Sequence, residues 1–336
     1  MTQSKPQRIG FIGLGMMGDP MSRCLAKGGY TLFLHDADLA RAESLRKELN
    51  AQPLTEDSAA TLDALITMLP NSAIVESVLL GTGAGNGGAG GSNAGSGGTG
   101  NGGDSGTRGG SAGGGADAAA AAGWARRLKP GAIVIDMSSS EPARSRDLGA
   151  TLHGMGLSYL DAPVSGGVKR ARDGSLAILV GGEAAILQRC MPLLGAMGKS
   201  ILHIGGAGAG HAAKALNNYV SAAGLMATVE ALHVAARFGI DPAVMTDVLN
   251  ASTGRSNTSE NKVKQFMLNG SYASGFAMQL MNKDLKIAHA LAEKVGYPLR
   301  VGDTVAAVWD QISGDATPAT DHTEMYRMLD PEARAR

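Results

Sequence analysis

"RIGFIGLGMMGDPMSRCLAKGG", residues 8–29, decides how the rest of the chain is read. A short apolar run ends among three glycines, and a helical pattern opens at the last of them and closes at Gly28–Gly29. In Gly13-x-Gly15-x-x-Gly18 the first glycine permits the tight turn. The second lets backbone approach a pyrophosphate, and the third allows helix and strand to pack closely. The helix N-terminus adds partial positive charge. Gly13, Leu14, Gly15, Met16, Met17 and Gly18 are thus the candidate phosphate-binding residues. Three glycines alone would equally suit a packing turn, so the context matters. "YTLFLHD", residues 30–36, supplies it: a second strand ending at Asp36. A carboxylate about 20 residues beyond the glycines can accept hydrogen bonds from the adenosine ribose. The same charge repels a 2′-phosphate, so NAD is expected as the cofactor and NADP is disfavoured. Arg41 lies on the following helix, by spacing a turn too late to clamp a phosphate.

Working outward, strand and helix alternate. "ADLARAESLRKELNA" (37–51) reads as a helix, "ALITMLP" (64–70) as a strand stopped by Pro70, and "NSAIVESVLLG" (71–81) as a helix. "GAIVIDMSSSEP" (131–142), "SYLDAPVSGG" (158–167), "LAILVGG" (176–182) and "ILHIGG" (201–206) continue the strands. Such alternation predicts a parallel, helix-covered sheet. After Gly210 the character changes. Ala212 to Phe238 holds no proline and one glycine, which suits a single helix of about 40 Å. Being apolar nearly all round, it is expected to be buried. "DPAVMTDVLNAS" (241–252), "ENKVKQFML" (260–268), "MNKDLKIAHALAEKVG" (281–296) and "DTVAAVWDQIS" (303–313) read as further helices. The fold expected is α/β: a Rossmann-type dinucleotide-binding domain over 1–207, then a linking helix and an all-α domain over 208–336. The tail, "DPEARAR", is expected to fray.

The 336 residues suffice for two domains and a sizeable core. Thirty basic and thirty acidic side chains leave no net charge, which argues against nucleic-acid or acidic-membrane partners. The two cysteines, Cys24 and Cys190, have no metal-like or redox-like spacing, which suits a reduced interior. The N-terminus runs straight into a strand without the layout of a secretory signal. No apolar run approaches the roughly 20 residues that span a bilayer, so no membrane partner and a cytoplasmic location are expected. Many of the forty-nine glycines fall in residues 81–123, too poor in apolar surface to repay ordering. That segment is expected to be a flexible insertion without a function of its own.

Three further patterns carry chemistry. "DAPVSGG", residues 161–167, follows a strand with Ser165, Gly166 and Gly167. Exposed N–H groups beside a hydroxyl make a carboxylate cradle, although an ordinary Ser-Gly-Gly turn has the same sequence. "KALNN" sets Lys214 and Asn218 four residues apart on one helical face, with Asn217 rotated away. A desolvated lysine there could take a proton from an alcohol; a snorkelling surface lysine is the plainer reading. "MNKDLKIA" presents Lys283-Asp284, either a solvated face or a lysine reaching towards the nucleotide. His211, His289 and Cys190 fit no metal-ligand or nucleophile pattern.

"GLGMMGDPM", "DAPVSGG", "GAGHAAKALNN" and "KDL", in this order, closely resemble the β-hydroxyacid dehydrogenase family. The resemblance covers nearly the whole chain outside 81–123. It implies that Lys214 is the catalytic lysine, that Asn218 orients the substrate, and that Ser165, Gly166 and Gly167 hold its carboxylate. It implies cofactor contacts for Leu69, Pro70 and Ser139, and for Lys283 reaching over from the α-domain. It further implies a homodimer or homotetramer, and hydride transfer between NAD and a small anionic 3-hydroxy acid. No metal is required, since a lysine can stabilise charge developing on oxygen. The family offers 3-hydroxyisobutyrate, oxidised to methylmalonate semialdehyde, as the default substrate. Reduction of 2-hydroxy-3-oxopropionate (tartronate semialdehyde) is the sister reading. A non-catalytic NAD-binding module is a third, set against by the retained lysine. The chain departs from the pattern at "SRCL" (22–25), at Ser139 in place of threonine, and at the insertion. Lys169, Arg170 and Arg172, next to the substrate loop, could favour a more anionic substrate; a solvated face is the plainer reading.

Overall fold

Ile9, Phe11, Leu32, Leu34, Ala64, Ile66, Ile133 and Ile135 are buried on one face of a sheet, and Ile12, Phe33, Leu65 and Val134 on the other. Apolar side chains at both phases of a two-residue repeat force a sheet covered on both faces. The fold is taken from a computed structural model, which describes residues 6–81 and 123–330. Its first six strands are β1 Arg8–Ile12, β2 Thr31–His35, β3 Gln52–Pro53, β4 Ala64–Thr67, β5 Ile133–Asp136 and β6 Ser158–Asp161. They lie parallel in the order β3-β2-β1-β4-β5-β6. The chain order reverses beside β1, which opens the crevice where such sheets bind nucleotides. Gly13–Gly18, Asp36, Met68–Pro70 and Met137–Ser139 all follow the carboxyl ends of strands facing that crevice.

The expectation of an all-parallel sheet needs correcting. Strands β7 Val164–Ser165, β8 Leu176–Gly182 and β9 Gly198–Gly205 extend it to nine, and β8 runs antiparallel to both β6 and β7. Only the short helix Gly167–Arg172 separates β7 from β8. A parallel return needs a crossover of a dozen or more residues, which this link does not provide. β9 then pairs parallel with β8, after the helix Ala184–Gly195.

The segment read as a flexible insertion lies, over 82–122, outside the described residues, as do 331–336 of the tail. Its two flanks meet. Gly123, at φ +86°, sits so close to the backbone of Leu80 and Gly81 that a Cβ would collide with it. Trp124 follows, wholly buried, its ring 5.4 Å from that of His35.

The sheet ends at Gly205, and a 30-residue helix, Ala209–Phe238, begins. Its start is fixed by the fully buried Asp161 carboxylate, which accepts the N–H groups of Gly208 (2.7 Å) and His211 (2.9 Å). A negative charge there meets the positive end of the helix dipole. Further along, Leu225, Val229 and Leu232 pack with Val263, Met278, Leu285, Trp309 and Ile312 in the core of the helical part. Truncating one such leucine to alanine typically costs about 2–5 kcal/mol.

Two expectations about this helix change. One stripe is open rather than buried: Val220 is 66 % exposed, Val234 67 % and Phe238 83 %. The helix is also long and apolar enough, by length and composition, to cross a membrane, although no unbroken apolar run appeared in the sequence. Its many alanines raise the average while Lys214, the two asparagines and Glu230 interrupt the run. Finally, "ENKVKQFML" is not one helix. An α-turn, Asn257–Asn261, stops at Lys262, and a π-helical turn, Val263–Met267, follows.

Candidate active site

The glycine loop is built by contacts that exclude side chains. Gly13 takes φ +95°, its N–H donates to His35 O (3.0 Å), and a Cβ on it would strike the carbonyl of Met68. A Cβ on Gly18 would land on the carbonyl of Gly13, which is the helix–strand contact itself. At Gly15 nothing lies within 4 Å of the Cβ position. The helix Gly18–Lys27 starts at Met17 without a side-chain cap. Asp19 N–H donates to Gly15 O (3.0 Å) and Pro20 has none, which leaves the Gly18 N–H, without a partner among the described residues, open to an anion. Leu14 N–H is engaged, donating to Asp36 Oδ2 at 2.6 Å, and Asp38 N–H donates to Oδ1 at 2.8 Å. Open space over Gly15, an uncapped helix start and a fixed carboxylate at the end of β2 suit a dinucleotide. Arg41, on the following helix as expected, folds its long side chain back across the turn. Its guanidinium lies 3.5 Å from Asp36 and 3.2 Å from Asp38.

The second cluster joins three parts of the sequence. Asp284, 2 % exposed on the helix Met278–Lys294, accepts hydrogen bonds from Asn218 Nδ2 (2.6 Å) and Ser139 Oγ (2.8 Å). Its neighbour Lys283 donates through Nζ to Ser139 O (2.9 Å) and Pro70 O (3.1 Å), tying the helical part to the loops after β4 and β5. Those loops are held from below. Ser138 Oγ accepts the N–H of Leu69 at 2.8 Å, and buried Asp136 receives Thr67 Oγ1, Ser138 N–H and Ser140 Oγ. His211, buried, bridges Ser145 Oγ (2.7 Å) and Ser138 O (3.1 Å), the structural part the sequence suggested.

Lys214 stands one helical turn from Asn218 on the same face. Its ammonium has no hydrogen bond or ion pair among the described residues. Burial pushes its pKa down; Asp284 pulls it back up, and the like charge of Lys283 adds to the lowering. A lysine so placed is readied to exchange a proton. Asn217, exposed, donates to Asn218 Oδ1 at 3.1 Å and so helps to orient it. Ser165, Gly166 and Gly167 lie at the end of β7, with φ +131° at Gly166 and +67° at Gly167. Among the described residues no hydrogen bond links them to the Lys214 cluster. Lys169, Arg170 and Arg172 are exposed, as a solvated face should be.

The chain matches two family models. Residues 8–105 and 112–205 match the NAD-binding domain of 6-phosphogluconate dehydrogenase, and residues 208–329 match the NAD-binding of NADP-dependent 3-hydroxyisobutyrate dehydrogenase. It is 33 % identical to the 2-(hydroxymethyl)glutarate dehydrogenase of Eubacterium barkeri, over 88 % of this chain and 85 % of that one. The chain belongs to the β-hydroxyacid dehydrogenase family. It is also 31 % identical to the mitochondrial 3-hydroxyisobutyrate dehydrogenase of Rattus norvegicus, over 96 % of this chain and 87 % of that one. Among solved structures, the Mycobacterium tuberculosis 3-hydroxyisobutyrate dehydrogenase with L-serine superposes with a TM-score of 0.78. It is 27 % identical and covers 97 % of this chain and 99 % of its own. As a member of this family the protein is an NAD-dependent oxidoreductase acting on the CH–OH group of 3-hydroxy acids. The nucleotide part is a Rossmann domain and the remainder is helical.

Sequence reasoning passed over Asp284 as a functional group in its own right. The residue that organises Asn218 and Ser139 is an acid inside a helix, and beside Lys283 it reads as half of a solvated pair. The usable signal was its phase: Asp284 shares a helix face with Met281, Leu285 and Ala288, all buried.

Proposed function

We propose that Lys214 is the proton acceptor of an NAD-dependent oxidation of a small 3-hydroxy acid. The observation that carries this reading is the desolvated, unpaired ammonium beside the Asn218–Asp284–Ser139 chain, facing loops that border the nucleotide crevice. The neutral amine takes the hydroxyl proton, and in the reverse direction the ammonium returns it. Asn218, held by Asp284, keeps the hydroxyl in line with the amine. Ser165, with the N–H groups of Gly166 and Gly167, holds the carboxylate. Gly13–Gly18, Asp36, Leu69, Pro70, Ser139 and Lys283 form the cofactor side, and bound NAD supplies the hydride acceptor.

The substrates named for the relatives share one unit. 2-(Hydroxymethyl)glutarate, 3-hydroxyisobutyrate and L-serine are each a primary alcohol on the carbon next to a carboxylate-bearing C2, and they differ only in the C2 substituent. The proposed reaction is oxidation of that unit, with 3-hydroxyisobutyrate, giving methylmalonate semialdehyde, as the reference substrate. The test is a turnover panel with NAD over these three acids and glycerate, following nicotinamide reduction. Silence on all four, together with silence of the semialdehydes with NADH, would sink the reading.

Asp284 is a positioning residue in this scheme. Asp284→Asn is expected to lower kcat about 10- to 100-fold, the range for one charge-assisted hydrogen bond. KM should change little, and the acid limb of the pH–rate profile should move down, because Lys214 loses the charge that favours its ammonium. A uniform loss with an unmoved profile would reduce Asp284 to a structural part.

We also propose a homodimer, or a tetramer built from it, assembled on the open stripe of the long helix. Leu216, Val220, Val234 and Phe238 repeat along one face, and large open apolar side chains in such a row mark an interface. Sedimentation of the parent should give two or four copies, and the double change Val220→Glu and Val234→Glu should give one. The two cysteines, buried and unpaired, suit a reducing compartment such as the cytoplasm.

A further inference from the structure

The long helix carries a second polar stripe, on a face other than that of the apolar one. Lys214 and Ser221 are seven residues apart, two turns at 3.6 residues each, and so stand on the same face about 10 Å apart along the axis. Gly224 continues the row, and nothing lies within 4 Å of its Cβ position, so space opens beside Ser221. Lys262 reaches Ser221 from the facing segment. It stands between the α-turn Asn257–Asn261 and the π-helical turn Val263–Met267, where the backbone widens. Such π-turns recur at functional sites. Its Nζ donates to Ser221 Oγ across 3.4 Å, a long bond to a neutral partner. Among the described residues no carboxylate lies within ion-pair distance of it.

Such an ammonium is poorly served. It has three protons to donate, is half-buried, and has one weak acceptor. The acid nearest in effect, Asp321, is fully engaged elsewhere. Its oxygens accept Ser274 Oγ, the N–H groups of Gly275, Phe276 and Thr323, and Thr323 Oγ1. Burial accordingly pulls the Lys262 pKa down to about 8, with Asp321 opposing the shift. A side chain merely seeking water would direct its charge away from the helix; this one ends on it, two turns from the proton acceptor.

We infer that Lys262 is a specificity residue that binds a second anionic group on the substrate. The preferred substrate class is therefore a 3-hydroxy acid whose C2 substituent itself ends in a carboxylate or a similar anion. This inference rests on the reading of Lys214 given above, which fixes where the hydroxyl stands. The carboxylate common to the class remains with the Ser165 loop, and Lys262 meets the substituent that distinguishes one member from another.

The experiment compares kcat/KM for 2-(hydroxymethyl)glutarate and 3-hydroxyisobutyrate in the parent and in Lys262→Met, Lys262→Gln and Lys262→Arg. The parent should favour the dicarboxylate. That preference should fall about 10- to 100-fold in Lys262→Met and Lys262→Gln, the loss expected for one charged hydrogen bond, and survive in Lys262→Arg. An unchanged ratio in Lys262→Met, or an equal loss on both acids, overturns the inference. Calorimetric titration of glutarate and isobutyrate into the protein with NADH gives the same comparison without turnover. If neither hydroxy acid is oxidised while glutarate binding still depends on Lys262, the anion subsite stands and the dehydrogenase reading of Lys214 falls. If 3-hydroxyisobutyrate is oxidised and glutarate binding ignores Lys262, the subsite falls and the dehydrogenase reading stands.

Discussion

Lys214→Ala should bind NAD as the parent does and oxidise 3-hydroxy acids between about a hundred and ten thousand times more slowly, the span of general-base contributions. Nothing else in the Asn218–Asp284–Ser139 chain can replace it: Asn218 has no basic nitrogen, and the Asp284 oxygens are committed at 2.6 and 2.8 Å. The pH dependence carries the same signature. Oxidation needs the neutral amine, so kcat/KM rises with pH as the ammonium loses its proton and then levels off. Burial lowers that pKa, so the plateau is reached below the ordinary lysine range. Reduction needs the ammonium and should fall over the same interval. In Lys214→Ala both limbs should vanish. Retained activity with an intact limb would assign the proton transfer to another group.

Gly15→Ala should separate binding from folding. The Cβ position is open and the residue exposed, so thermal stability should change by no more than the ordinary scatter of surface substitutions, about 0.5 kcal/mol. The added methyl occupies the space where backbone must approach a pyrophosphate. NAD affinity should therefore drop about 5- to 150-fold, from the 1–3 kcal/mol typical of an overpacked contact. Gly18→Ala should differ, losing stability as well, because its methyl falls on the carbonyl of Gly13. Calorimetric NAD binding beside a melting curve reads both quantities. An alanine at position 15 that binds NAD unchanged would remove the loop from the cofactor site.

The nucleotide half was legible because its signals are local. Glycines at 13, 15 and 18 and an acid closing β2 act through turn geometry, helix dipole and charge, all encoded within thirty residues. The direction of β8 was not legible, since a strand's alternation of side chains is the same whichever way it runs. The reach of Arg41 to Asp36 was not legible for a related reason: spacing locates a Cα, whereas a guanidinium swings across several ångströms. Asp284 owes its importance to Asn218, sixty-six residues away, and to Ser139, more distant still. No window on the sequence contains both. Lys262 was hidden by its neighbours, because "ENKVKQFML" reads as one ordinary helix and the π-helical widening after Lys262 has no compositional mark.

The meeting of Leu80, Gly81 and Gly123 has a consequence for how this lineage can change. Residues 81 and 123 stand side by side, and the buried Trp124 anchors the chain that follows. Chain length there can drift between descendants while every strand and helix keeps its register. Natural variation should gather at that junction, and a foreign sequence grafted there would join the molecule as a branch.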